Sequence, residues 1–340
     1  MIFDQVERTD VGSAKYSESL FSFLNRSARI EAEHVRGKME EWLSNFPMAE
    51  RNRLTTTLQS SNDLEFLAAY FELYLLTLLT RMGYSIEVHP EMKSGSKRPD
   101  LLVKVKGEMG IYIEAVLASE ASQQELGQTA RENQVYDILN EMDSPNFFVG
   151  LELSGTPATP PPARKIKEQV SKWLKTLDPD AINELHQRET ILGLPKLKVD
   201  HDGWHITFYP IAKSPAIRGK SGVIPIGMKM TEFEKVKTKD AIRDAIARKA
   251  TRYGEMDKPY IIAVNMLSPF LDRDKIMDAL FGSEQYVFRT DMPNDHPPEM
   301  KRARDGVWFG PSGPRNTRVS AVLIVQHLTP WSIASRDMTL

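Results

Sequence analysis

The feature that most restricts the fold of this chain is a change of hydrophobic period between residues 63 and 118. Leu64 to Thr80 is almost continuously apolar and too long for one strand. From Tyr84 onward the chain instead breaks into short β-type runs, YSIEVHPEM, PDLLVKV and GIYIEAVLA, separated by the turn-like KSGSKR and KGEMG. A helix that is apolar on nearly every side has to be buried, and strands this short need a shared sheet. The pattern predicts a buried helix followed by antiparallel strands. Asp63 is placed to cap that helix and Gly83 to close it near Met82. Glu65 and Glu72 interrupt the apolar run, which makes it a core helix rather than a membrane span.

The pattern continues on both sides. A polar helix is expected at about Gln123 to Met142, followed by a buried strand, FFVGLEL. Helix, three strands, helix, strand reads as one α/β unit over residues 61–155. Upstream, residues 15–45 combine helix formers with spaced apolar positions, and Asn45 and Pro47 mark a stop, so residues 1–60 read as a helical N-terminal extension. SGTPATPPPARK, residues 154–165, has four prolines and reads as a linker. Beyond it, residues 156–340 read as a second α/β region: a basic helix from Arg164 to Leu177, a strand pair in LKVDHDGWHITFYPIA, a helix at about 239–253, the strand PYIIAVN, a helix to Phe281 and the strand VSAVLIVQHL.

Composition narrows the chemistry. With no cysteine in 340 residues, disulfides, thiolate metal sites and cysteine nucleophiles are excluded, so any metal must be held by oxygen or imidazole. The N-terminus lacks the basic start and apolar run of a secretory signal, and a cytoplasmic location is expected. Walker, dinucleotide and Gly-x-Ser-x-Gly motifs are absent, which disfavours an NTPase, an NAD enzyme and a serine hydrolase of that type.

Three acids stand out. Asp100 begins a strand directly after Pro99, Glu114 lies inside the apolar run IYIEAVL, and Glu72 sits in the apolar helix. Carboxylates are rarely buried without a partner, so two on neighbouring strands suggest a bound cation. Mg²⁺ takes one or two carboxylates and keeps several waters, an arrangement suited to phosphodiester hydrolysis.

On these residues the chain resembles the PD-(D/E)xK nuclease superfamily, over roughly 95 residues. The match is Pro99-Asp100 on one strand, Glu114 on the next, a preceding helix carrying Glu72, and the order of elements. The resemblance implies a restriction-endonuclease-like mixed sheet flanked by helices, with the helical extension and the second α/β region added to it. It also implies Asp100 and Glu114 as ligands of Mg²⁺ or Mn²⁺, and Glu72 as an auxiliary ligand or water-orienting base. The family's lysine would fall at position 116, where this chain has Val116. Lys104 shares a strand face with Asp100 but lies roughly 13 Å along the strand. Gln134, Arg131 and Asn133, on the next expected helix, are the alternatives, with Gln134 the leading one.

Each acid also has a plainer reading. Glu72 and Glu65, seven residues apart, fit one solvated helix stripe, and Asp100 alone fits a strand-edge acid. Between Lys213 and Arg252 there are eleven Lys or Arg against four acids, an excess of seven. Lys213, Arg218 and Lys220, in a glycine-containing loop, are candidate phosphate contacts, as are Arg315 and Arg318 beside Trp308 and Phe309. A solvated helix face is the alternative for Lys235 to Arg252. His201 and His205 flank Asp202-Gly203, which reads as a hairpin turn rather than a zinc site.

The expectation is a metal-dependent deoxyribonuclease, with restriction, phage defence or repair implied by the resemblance, and with DNA, a second copy of the chain or a partner ATPase or helicase subunit as partners. The competing expectations are a nuclease-fold subunit that has lost catalysis and binds nucleic acid or protein, favoured by Val116, and a purely structural protein.

Overall fold

The computed structural model describes the chain except residues 93–95, 105–109, 122, 221–223, 232–236, 269–270, 289–297 and 335–340. Much of the turns KSGSKR and KGEMG, and part of the basic stretch 213–252, therefore lie outside the described residues. The fold is mixed α/β and divides into two compact units. The first comprises residues 1–12, 19–120 and 236–340; the second comprises 13–18 and 121–235.

The first unit begins with α1 (Leu20–Arg26), α2 (Ile30–Ser44), α3 (Met48–Leu58) and α4 (Asp63–Arg81), followed by β1 (Ser85–Val88), β2 (Leu101–Lys104) and β3 (Ile111–Ala118). The chain then makes the second unit, with α5 (Gln123–Asn140), β4 (Phe147–Gly155), α6 (Ala163–Leu174), α7 (Pro179–Arg188), β5 (Leu197–His201), β6 (Trp204–Ala212) and β7 (Ile226–Thr231). It returns to the first unit with α8 (Thr238–Ala250), β8 (Tyr260–Met266), α9 (Arg273–Phe281), β9 (Glu284–Val287), β10 (Glu299–Arg302), β11 (Phe309–Gly310), β12 (Gly313–Pro314), β13 (Ala321–Gln326) and α10 (Trp331–Ala334).

The first unit's sheet has the order β1-β2-β3-β8-β13. β1, β2 and β3 pair antiparallel, and β8 and β13 continue parallel to β3. Side-chain alternation splits its residues between two cores. Ile113 of β3 joins Leu101 and Val103 under α4, while Tyr112 and Val116 join Ile262 and Val264 under α8. The second unit has its own sheet, β5-β6-β4-β7, and its own core, built from β4, β6 and the inner faces of α5, α6 and α7.

Three expectations are corrected. FFVGLEL, as β4, belongs to the second sheet; β3's parallel neighbour is β8. The proline-rich segment does not end a domain, because residues 121–235, inserted between β3 and α8, all belong with residues 13–18 to one unit. Residues 1–60 are not an added extension either: Leu24, Val35, Met39, Trp42 and Leu54 share one core with Phe66, Tyr70 and Phe71 of α4. The helix-forming stretch 15–45 holds two helices with a break at Ser27, where the Arg36 guanidinium bonds the carbonyls of Leu24 and Ser27 at 2.6 and 2.8 Å. Asp202 and Gly203 do form the β5–β6 turn, both at positive φ, +47° and +82°. Among the described residues, no helix is long and apolar enough to cross a membrane.

Candidate active site

Asp100 stands one residue before β2, whose register pairs Leu101 with Ile113. One step further along both chains sets Asp100 opposite Glu114, on the sheet face that carries Leu102, Tyr112 and Val116. Two like charges in that position repel, so the sequence must supply compensation. Asp100 Oδ2 accepts a hydrogen bond from Ala115 N at 2.7 Å. Its carboxyl is nevertheless pushed up to about 7, by burial first and then by Glu114 and Glu72, against the opposing pull of Lys249.

Glu114 is fully buried and fully paired. Its Oε1 accepts from Lys249 Nζ at 2.5 Å and from Arg252 Nη1 at 3.0 Å, and its Oε2 accepts from the Tyr253 hydroxyl. Tyr253 Oη also lies 3.0 Å from the Arg98 carbonyl, and burial, with the Glu114 hydrogen bond, raises its phenol far above the usual range. These partners come from α8 and the turn after it. Ile242, Ala245 and Ile246 form the buried stripe of α8, and Lys249 continues it at the i+7 position, which turns an apolar stripe into a cation aimed at β3.

Glu72 is buried, not part of a solvated stripe with Glu65, which is exposed. Its Oε1 takes a hydrogen bond from Arg53 Nη2 at 2.7 Å and lies 3.8 Å from His89 Nε2, which is itself 4.0 Å from Asp100 Oδ1. The other ring nitrogen of His89 meets Glu50 at 3.1 Å, and Arg53 Nη2 approaches Nε2 at 3.3 Å. A carboxylate on Nδ1 and a guanidinium on Nε2 favour the tautomer in which Nδ1 donates and Nε2 accepts.

Glu72, Asp100 and Glu114 are thus brought into one cluster, and Lys249, Arg252, Tyr253 and His89 join it. Comparison with family models, with curated proteins and with solved structures gave no match. Among the described residues, no group of three or more His, Cys, Asp or Glu side chains is disposed to hold a metal ion. The opposed carboxylates Asp100 and Glu114 are the oxygen donors that a divalent cation would need here; Asp100 Oδ2 accepts from the Ala115 amide, and both Glu114 oxygens accept from protein donors.

Several of the candidates raised by the sequence fall elsewhere. Gln134 belongs to α5 in the second unit, where it lines a cavity of about 720 Å³ with Asp137, Glu141 and Arg164. Arg131 donates to the Pro157 carbonyl at 2.9 Å. Asn133 is on the same helix; the helix that follows β3 within the first unit is α8, not α5. Lys104 pairs with Glu87 at 2.9 Å. Lys213 is not a phosphate contact: it is 1% exposed, donates to the Ser144 carbonyl at 2.7 Å and sits over the Phe148 ring, and burial lowers its pKa. Arg218 bonds the Lys213 carbonyl and Asp180, whereas Lys220 is exposed. Arg315 donates to the Gly306 carbonyl at 2.6 Å. Arg318, exposed, donates to the Tyr253 carbonyl at 2.6 Å and so belongs to the surroundings of the cluster. Trp308 packs on the α8 core and Phe309 is exposed. His205 pairs with Asp200 and His201 meets Thr159, as expected of a hairpin surface.

Proposed function

We propose that the first unit is a metal-dependent nuclease that hydrolyses phosphodiester bonds of DNA, with a restriction-endonuclease-like core made of α4, β1, β2, β3, α8 and β8. The observation that carries this reading is the placing of Asp100 opposite Glu114 with the Lys249 ammonium 2.5 Å from Glu114. The order and direction of the six elements support it, once the second unit is recognised as an insertion between β3 and α8.

Asp100 and Glu114 would hold Mg²⁺ or Mn²⁺, and the bound ion supplies Lewis acidity toward the phosphate and a more acidic water. The chain's own residues do the rest. Lys249 supplies the cation that Val116 does not: Val116 packs in the core beneath α8, and the ammonium arrives from the helix instead of from the strand. It is bonded to the fully buried Glu114 carboxyl and has further N–H groups to offer a phosphate oxygen. Tyr253 fixes the orientation of Glu114 through Oε2. Glu72, held by Arg53, adds negative charge beside Asp100 and strengthens its demand for a cation.

The test is cleavage of single- and double-stranded DNA and RNA with Mg²⁺, Mn²⁺ or EDTA. Asp100→Ala, Glu114→Ala and Lys249→Met should each slow metal-dependent cutting by about two orders of magnitude or more. A second reading, a nuclease-fold subunit without catalysis, draws on one observation: both Glu114 oxygens are already satisfied by protein donors. It predicts nucleic-acid binding that is indifferent to Mg²⁺, and no cutting of any substrate.

A further inference from the structure

Charge is unevenly shared between the two strand acids. Glu114 has two cations on a single oxygen, Lys249 and Arg252, while Asp100 has, among the described residues, only the Ala115 amide within hydrogen-bond distance, with Nε2 of His89 4.0 Å from its Oδ1. The two cations on Glu114 also differ. Lys249 is held in the last turn of α8, with its side chain 19% exposed and Nζ at 2.5 Å. Arg252 follows the end of the helix, its side chain 40% exposed, its Nη1 at 3.0 Å and its guanidinium 5.8 Å from the Tyr253 ring centre. Only one of its nitrogens is committed to Glu114.

On the nuclease reading above, we propose that Arg252 is a substrate-gripping residue: in the free protein it supplies part of the positive charge on Glu114, and it passes to a backbone phosphate of the nucleic acid when a divalent cation joins Asp100 and Glu114. A cation shared by the two acids makes the second charge on Glu114 redundant, and the more exposed, longer contact is the one released. A guanidinium is suited to the new partner, because its planar fork matches two phosphate oxygens, where an ammonium acts as a point charge. Arg318, an exposed residue bonded to the Tyr253 carbonyl, would extend the basic rim from one phosphate toward a second. A polymer with several phosphates in a row, rather than a mononucleotide, is the ligand that uses both.

The consequence is a pair of effects of opposite sign. Arg252→Gln removes a competitor for Glu114 and a contact for phosphate together. In the full-length protein, Mn²⁺ affinity measured by calorimetry without nucleic acid should rise about fivefold, the scale of a half-exposed ion pair. Affinity for labelled single- and double-stranded DNA, measured by fluorescence anisotropy with Ca²⁺ present, should fall about tenfold, as for one charge-assisted hydrogen-bonding partner. Arg252→Lys keeps the charge without the fork and should bind Mn²⁺ like the wild type while still losing DNA affinity. Because Arg252 is partly exposed, both variants should melt within a few degrees of the wild type, which checks that the fold is intact. If Arg252→Gln weakens or leaves unchanged the binding of Mn²⁺, or leaves DNA affinity unchanged, the proposal is wrong, and the nuclease reading stands as long as Asp100→Asn abolishes Mn²⁺ binding. If the wild type shows no Mn²⁺ binding that depends on Asp100, both readings fall together.

Discussion

Asp100 is partly buried among groups of its own sign. Glu114 and Glu72 face it, and Lys249 and the Ala115 amide only partly offset them; His89 stands 4.0 Å away. Its carboxyl therefore titrates at about 7 in the folded chain against an ordinary value of 3.8. Below about pH 4 the acid is protonated folded or unfolded and costs nothing. Between those values the folded chain keeps a proton that the unfolded chain releases, so stability falls as pH rises, and above about 7 the full penalty remains, on the order of a few kcal/mol. Without divalent cations, Asp100→Asn should then melt higher than the wild type at pH 8 and no higher at pH 4. Added Mn²⁺ should raise the melting temperature of the wild type more at pH 8 than at pH 5.5, and that of Asp100→Asn at neither; equal melting curves at pH 8 would contradict the burial of an uncompensated charge. Tyr253→Phe tests the opposite situation, a satisfied acid. It strips the fully buried Glu114 of the hydroxyl donor on Oε2, and should cost about 1–3 kcal/mol by urea unfolding.

At the scale of elements, α8 carries the site and the core at once. Ile246 is fully buried against the sheet on the stripe that ends in Lys249. Ile246→Ala should cost about 2–5 kcal/mol. Because Lys249 and Tyr253 are positioned by the same helix and the turn that follows it, the stabilisation given by Mn²⁺ should shrink with it, measured as the difference between melting curves with and without the ion. The role of α8 is hidden in the sequence for a physical reason. The strands around Asp100 and Glu114 are legible because alternation and flanking turns mark them, and α4 because its apolar run is too long for anything but a helix. The partner of Glu114 is naturally sought within a few residues of it, whereas Lys249 lies 135 positions on. A signal is present, since in IRDAIARKA a lysine occupies the position where the stripe of Ile242, Ala245 and Ile246 calls for an apolar side chain. It has meaning only once the strand it faces is known. FFVGLEL misleads for the converse reason: a buried strand announces its burial but not which sheet it joins. α7 is signalled by Asp178 and Pro179, whose capping and N-terminal roles the structure shows, while the Thr-rich α3 owes its helix to the burial of Leu54 and Leu58 rather than to propensity.

For the whole molecule, the decisive fact is that the site's two halves, β3 and α8, lie on either side of a long insertion in sequence yet belong to one unit. Chain order hides this, because the proline-rich stretch looks like a boundary and the true crossings, near residues 120 and 236, carry no such mark. The insertion leaves and returns at neighbouring points: the Thr238 hydroxyl donates to the Glu120 carboxylate, both within the first unit. Its own sheet and core are complete without residues from the first unit. Replacing residues 121–235 with a short Gly/Ser linker should therefore leave a chain that folds, since closing a short loop costs little entropy beside the core that β3, β8 and α8 share. Such a variant should unfold cooperatively and keep the Mn²⁺-dependent stabilisation, with Lys249→Met in the same background changing it as in the full chain. A deletion variant that folds but no longer responds to Mn²⁺ would mean that the second unit supplies a ligand to the cation. Loss of DNA binding alone, with the cation response intact, would instead assign the second unit to gripping the nucleic acid, and would separate the chemistry of β3 and α8 from whatever residues 121–235 recognise.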